Sequence, residues 1–141
     1  MKRLLIPALA ALLLLTGCAH APSPQQAADA EEKEEPSWVQ IDQETAKRMM
    51  EADDGHVIVD VRRQDEYDAG HIPGAILIPN ESIVDERPSE LPDLEQVILI
   101  YCRSGNRSKQ AAQKLADLGY RNIYEFGGIT TWIGEIVKPE G

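Results

Sequence analysis

The chain has 141 residues, with 14 Lys and Arg against 24 Asp and Glu and a formal net charge of -10. That length leaves room for one domain, and 43% hydrophobic with 27% charged residues is an ordinary globular balance that argues against global disorder. The acidic excess excludes the basic footprint of a nucleic-acid binder and gives no reason for adsorption to anionic lipid; two cysteines and three scattered histidines exclude a disulfide-rich scaffold and leave no spacing for a bound metal.

The chain opens on Met1-Lys2-Arg3 and an apolar run from Leu4 to Leu15. This is the pattern of a secretory signal peptide, too short for a spanning helix, which needs about 20 apolar residues. Leu15-Thr16-Gly17-Cys18 resembles the lipobox of bacterial lipoproteins. The resemblance implies that residues 1–17 are removed and that Cys18 carries lipid, anchoring the protein extracytoplasmically to the cell envelope. Ala19 in place of aspartate after the cysteine points to the outer membrane, periplasmic face, if the envelope is Gram-negative. A plain secreted protein is the alternative. Residues 18–36 are rich in Ala, Pro, Gln and Ser and hold Glu31-Glu32-Lys33-Glu34-Glu35. They bury too little to offset their ordering entropy and read as a flexible acidic tether, with an acidic docking segment as the other reading.

Residues 37–138 read as the folded part. Trp38 to Ile41 is a short strand, and Asp42 caps a helix in which Ala46, Met49 and Met50 recur at helical spacing before Gly55. Val57 to Val61 is an apolar run broken by Asp60, as in a buried parallel strand. Arg63 to Ala69 suits a short helix stopped by Gly70, and Ala75 to Ile78 a strand between Pro73 and Pro79. Residues 80–95 are broken by Pro88 and Pro92. Val97 to Tyr101 is the most hydrophobic strand, Ser108 to Leu118 an amphipathic helix, and Asn122 to Phe126 the last strand. Gly127-Gly128 then opens a helical turn through Trp132. Strands alternating with helices predict an α/β fold, a parallel sheet of about five short strands flanked by helices.

Cys102-Arg103-Ser104-Gly105-Asn106-Arg107-Ser108 joins the strongest strand to the clearest helix. A loop at the carboxyl end of a parallel strand faces the functional crevice, and its amides, with those of the helix start, form an anion nest. A thiol at the rim of that nest, beside Arg103 and Arg107, favours its thiolate. Gly105 permits a close turn around an anion. With Cys18 lipidated, Cys102 has no thiol partner for a dithiol redox cycle.

The folded part resembles the single-domain rhodaneses, a family of sulfurtransferases. The resemblance runs from about Val39 to Val137 on four motifs in order: Val59-Asp60-Val61-Arg62 with Glu66-Tyr67; Gly70-His71-Ile72-Pro73-Gly74-Ala75; the Cys102 loop; and Gly127-Gly128 with Trp132. It implies that Cys102 is the nucleophile and carries sulfur as a persulfide. It also implies that the amides of Arg103, Ser104, Gly105, Asn106, Arg107 and Ser108 hold the terminal sulfur, and that Arg103 and Arg107 bind an anionic donor. A thiol or cyanide then accepts the sulfur, and no cofactor is needed. A protein acceptor is compatible with the same chemistry. Two other readings stay open, a sulfur-sensing or binding module without turnover, and a cysteine phosphatase or arsenate reductase. Four residues between Cys102 and Arg107, where such phosphatases generally place five, make a tighter cradle that suits a single sulfur atom.

The remaining marked residues read as structural. Asp60 can brace the crevice by pairing with a base such as Arg62, His71 can bond within its Pro-Gly turn, and Tyr101 and Trp132 can pack.

Overall fold

The computed structural model describes residues 37–139. Five strands form one sheet: β1 (Val39–Gln40), β2 (Val57–Asp60), β3 (Ile76–Leu77), β4 (Val97–Cys102) and β5 (Asn122–Gly128), in spatial order β1-β5-β4-β2-β3. Every neighbouring pair is parallel. Three helices, α1 (Gln43–Met50), α2 (Gln64–Ala69) and α3 (Asn106–Asp117), supply the crossovers together with a short 3-10 turn at Asn80–Ser82, and a second such turn, Ile129–Thr131, follows β5.

Period-two alternation sorts the central strands into two cores. Val59, Ile98, Ile100, Cys102 and Ile123 face α3, where they meet Ala111, Ala112, Leu115 and Ala116. Ile58, Leu99, Tyr101 and Phe126 face the other way, against Ala46 and the half-buried Met49, Met50, Tyr67 and Trp132. β4 is covered on both sides, so its side chains from Ile98 to Cys102 are at most 1% exposed. At about 1.5–3 kcal/mol for each large apolar side chain removed from water, this strand anchors the sheet. The cysteine loop therefore leaves from the most rigid part of the fold.

The observed elements differ from the sequence expectations mainly at their ends. β1 keeps only two residues, because a sheet edge gains hydrogen bonds from one neighbour only. β4 runs on to Cys102, and β5 continues through Gly127 and Gly128 instead of ending at Phe126. A register shift between Ile100 and Cys102 lets Cys102 pair with Gly128. α3 starts two residues earlier than its apolar periodicity indicates, because Gly105 caps it through backbone conformation (φ 104°, ψ -16°) without a capping side chain.

Candidate active site

Cys102 ends β4, and its chain neighbours wrap around its sulfur. The Gly105 N–H points at Sγ at 3.0 Å. Burial pushes the Cys102 thiol up, but the Ser108 hydroxyl and the N–H groups of Ser108, Gly105 and Ser104 outweigh it and bring the thiol below its ordinary value. Gly105 presents its N–H to the sulfur from a left-handed backbone, φ 104°. The far wall of the loop is β5. A Cβ on Gly128 would run into the Arg103 carbonyl and come within 2.6 Å of Ser104 Cα. The Arg103 carbonyl is itself held by the Thr130 N–H at 3.3 Å and the Thr130 hydroxyl at 3.0 Å. The Gly-Gly pair is thus a close-approach site pinned to the loop.

The two loop arginines are placed differently. The Arg103 side chain is exposed, as are those of Ser104 and Asn106. Arg107 reaches across to α2, where both of its terminal nitrogens donate to Glu66, at 2.6 and 2.8 Å. Glu66 also accepts from the Arg63 N–H at 3.1 Å, capping its own helix. Arg107 foremost, with these further contacts, draws the Glu66 carboxyl down from 4.5 to about 2. Arg107 thus carries a carboxylate partner at the mouth of the nest, a role for Glu66 that its motif alone does not disclose.

Behind the crevice, on the α1 and α2 side, Asp60 is wholly buried and fully partnered. It accepts from the Arg62 N–H at 2.9 Å, from Arg62 Nε at 3.0 Å and Nη2 at 2.7 Å, and from the Tyr101 hydroxyl at 2.7 Å. Arg62 continues to the Gly70 carbonyl at 2.7 Å, and the Tyr101 hydroxyl accepts from the Ile72 N–H at 3.1 Å. Tyr101 is therefore a polar tie between β4 and the 70–75 turn as well as core. His71 stacks on Tyr67, with ring centroids 3.8 Å apart, and its Nδ1 lies 3.0 Å from the Tyr67 carbonyl. Its backbone pairs with Val137 in an antiparallel bridge. Asp60, Arg62 and His71 all sit in this scaffold beneath the loop.

Glu125 is the acid that sequence reasoning missed. It is wholly buried on β5, and Oε1 accepts from the Ser108 hydroxyl at 2.6 Å and from the Gly127 N–H at 2.8 Å. The signal was its parity, since it shares with Ile123 the strand face that packs under α3. Cys18 lies outside the described residues.

Residues 42–135 match the Rhodanese-like domain family. The chain is 36% identical over 106 residues to a sulfurtransferase of Allochromatium vinosum, covering 72% of this chain and 97% of that protein. It is 39% identical over 80 residues to the thiosulfate sulfurtransferase GlpE of Pseudomonas entomophila, covering 56% and 72%. Two longer curated relatives are spanned over only 21% and 51% of their length. Among solved structures, the rhodanese-like domain of Alr3790 from Anabaena superposes with a TM-score of 0.64 at 29% identity, covering 73% of this chain and 81% of that one. A strand-end cysteine in an amide nest, on a five-stranded parallel sheet and with relatives of this kind, places the chain in the rhodanese-like domain family.

Proposed function

We propose that the protein is a sulfurtransferase that moves sulfane sulfur through a persulfide on Cys102. The observation that carries this is the inward convergence of loop N–H groups on Cys102 Sγ, with Gly105 N at 3.0 Å, in a site that lowers the thiol pKa despite burial. The Cys102 thiolate attacks the outer sulfur of an anionic donor such as thiosulfate. A carbon-bound S–S bond forms as the donor's S–S bond breaks, and sulfite leaves with the bonding pair. The terminal persulfide sulfur keeps the negative charge, which the nest is built to hold. Cyanide or a thiolate then attacks that sulfur and restores the Cys102 thiolate. This is covalent catalysis in two half-reactions. The narrow loop favours a single sulfur over a tetrahedral oxyanion, and the named sulfurtransferases among the relatives support the same reaction.

The donor's charge falls on Arg103 and on the part of Arg107 that Glu66 leaves uncompensated. This supports donors such as thiosulfate or a persulfide, and a small thiol, cyanide or a protein thiol as acceptor. The lipobox-like segment further supports an extracytoplasmic enzyme held at the membrane through Cys18, with residues 19–36 as spacer; Cys18→Ser should release it from the membrane fraction. Thiocyanate formation from thiosulfate and cyanide tests the reaction. Parallel double-reciprocal lines are expected, and intersecting lines would contradict two separate half-reactions.

A further inference from the structure

The peptide unit between Arg103 and Ser104 is held by a residue outside the loop. Its carbonyl accepts from the Thr130 hydroxyl at 3.0 Å and from the Thr130 N–H at 3.3 Å. The Gly105 carbonyl, by contrast, is held from α3 itself, by the Ser108 hydroxyl at 3.0 Å and the Lys109 N–H at 3.2 Å. A trans peptide is planar, so its N–H points opposite to its C=O. The Arg103 carbonyl is turned toward the end of β5, and the Ser104 N–H is therefore turned away from it. Among the described residues this N–H meets no backbone acceptor, and it is one of the groups that bring the Cys102 thiol below its ordinary value.

Thr130 is firmly rooted for this contact. It lies in the 3-10 turn after β5, which the Trp132 N–H closes on the Ile129 carbonyl at 3.2 Å. Gln43 of α1 grips the same corner, its Nε2 donating to the Gly128 carbonyl and to Thr131 Oγ1, each at 3.0 Å. Gly128 admits the Arg103 carbonyl at a place that a Cβ would occupy. Thr130 is exposed, and its hydroxyl has no other partner among the described residues. Its one polar side-chain contact is with the cysteine loop.

We propose that Thr130 is a positioning residue for sulfur transfer, its hydroxyl fixing the Arg103–Ser104 peptide so that the Ser104 N–H faces the sulfur on Cys102. The inference rests on the reading of Cys102 as the sulfur carrier. In that reaction the negative charge sits on Sγ before loading and on the outer sulfur after it. An N–H aimed in advance stabilises this charge without reorganising during the reaction. Without the hydroxyl, the longer contact from the Thr130 N–H is the only hold left on the carbonyl, and the peptide gains freedom to rotate. Thr130 acts through that peptide alone.

Thr130→Val removes the hydroxyl and keeps the N–H, the β-branch and nearly the same volume. The ultraviolet absorbance of the thiolate is followed against pH on the full chain, with the C102S protein subtracted so that only Cys102 contributes. Thr130→Val should move the midpoint up by about 0.5–1 pH unit, which corresponds to the net contribution of one hydrogen bond. Below the parent's midpoint, single-turnover persulfide formation from thiosulfate, read by intact mass, should slow about three- to tenfold. Thr130→Ser restores the hydroxyl and should match the parent in both measurements, whereas Thr130→Ala should match Thr130→Val. No charge changes in these variants, so Arg103, Arg107 with Glu66 and Glu81, the Asp60–Arg62 pair and Glu125 act equally in all of them. A Thr130→Val protein that titrates and loads as the parent does overturns the proposal. So does a Thr130→Ser protein as impaired as Thr130→Val, since packing and not the hydroxyl would then be at work. A parent that forms no sulfur adduct removes the sulfurtransferase reading instead, and the titrations alone then decide for or against Thr130.

Discussion

Asp60 and Glu125 are both wholly buried acids on central strands, one on each face of the same sheet, and their surroundings differ. Asp60 has both oxygens occupied by Arg62 and Tyr101, and those partners are themselves tied to the backbone of Gly70 and Ile72. Glu125 accepts on Oε1 alone, from the Ser108 hydroxyl and the Gly127 N–H, while Oε2 has no partner among the described residues. A closed buried network holds its acid through several partners on both oxygens, whereas Glu125 is held through one oxygen only. Two acids of equal burial thus differ in how firmly their surroundings hold them.

The largest effect is expected at the sulfur itself. Cys102→Ser should abolish sulfur transfer while leaving the thermal midpoint close to the parent's, because the replacement is nearly isosteric; residual transfer would remove Cys102 from the reaction. Breaking the closed network comes next. Asp60→Asn leaves the Arg62 charge buried without its counter-ion, a loss of about 3–5 kcal/mol in chemical denaturation. An Asp60→Asn protein as stable as the parent would contradict the bracing role. Gly128→Ala should cost about 1–3 kcal/mol, as overpacking does, together with a disproportionate loss of activity, because the new methyl group displaces the Arg103 carbonyl that shapes the nest. Equal activity per folded molecule would show that the β5 wall does not shape the loop.

The smallest effect belongs to the mouth of the site. Glu66→Gln frees Arg107 and should lower KM for an anionic donor about two- to fivefold, the equivalent of the ~1 kcal/mol that a largely covered ion pair contributes at most. The same change alters the acid response. Glu66 is depressed from 4.5 to about 2 by Arg107 and its other partners, so its contribution to stability is complete above the unfolded value and disappears as pH falls through that window. The stability difference between parent and Glu66→Gln should therefore narrow between pH 4.5 and about 2, a trend that thermal melts at stepped pH would register. A constant difference would place the effect elsewhere.

Much of this arrangement is legible in the chain. The apolar run from Val97 to Tyr101 announces a strand buried on both faces, and Cys-x-x-Gly-x-Arg after it announces the nest. Strand alternation also shows Asp60 inside, so a basic partner is required, and Arg62 is two residues away. The partnerships that cross the sequence are less visible. Arg107 and Glu66 are 41 residues apart, as are Tyr101 and Asp60, and no local pattern reports either contact. The start of α3 was misplaced because Gly105 caps by conformation, which leaves no side-chain signature. Glu125 was readable only by counting parity from Ile123, and its idle oxygen is a property of packing that composition does not carry.

The central claim is that Cys102 carries sulfur, and the intact mass of the protein tests it most directly. The full chain and its C102S variant are exposed to thiosulfate, weighed, treated with cyanide and weighed again. The account predicts a gain of one sulfur atom on the parent alone, reversed by cyanide with stoichiometric thiocyanate released; the reversal matters because dioxygen addition has nearly the same mass. An adduct that survives cyanide, or one that also forms on C102S, would contradict a Cys102 persulfide.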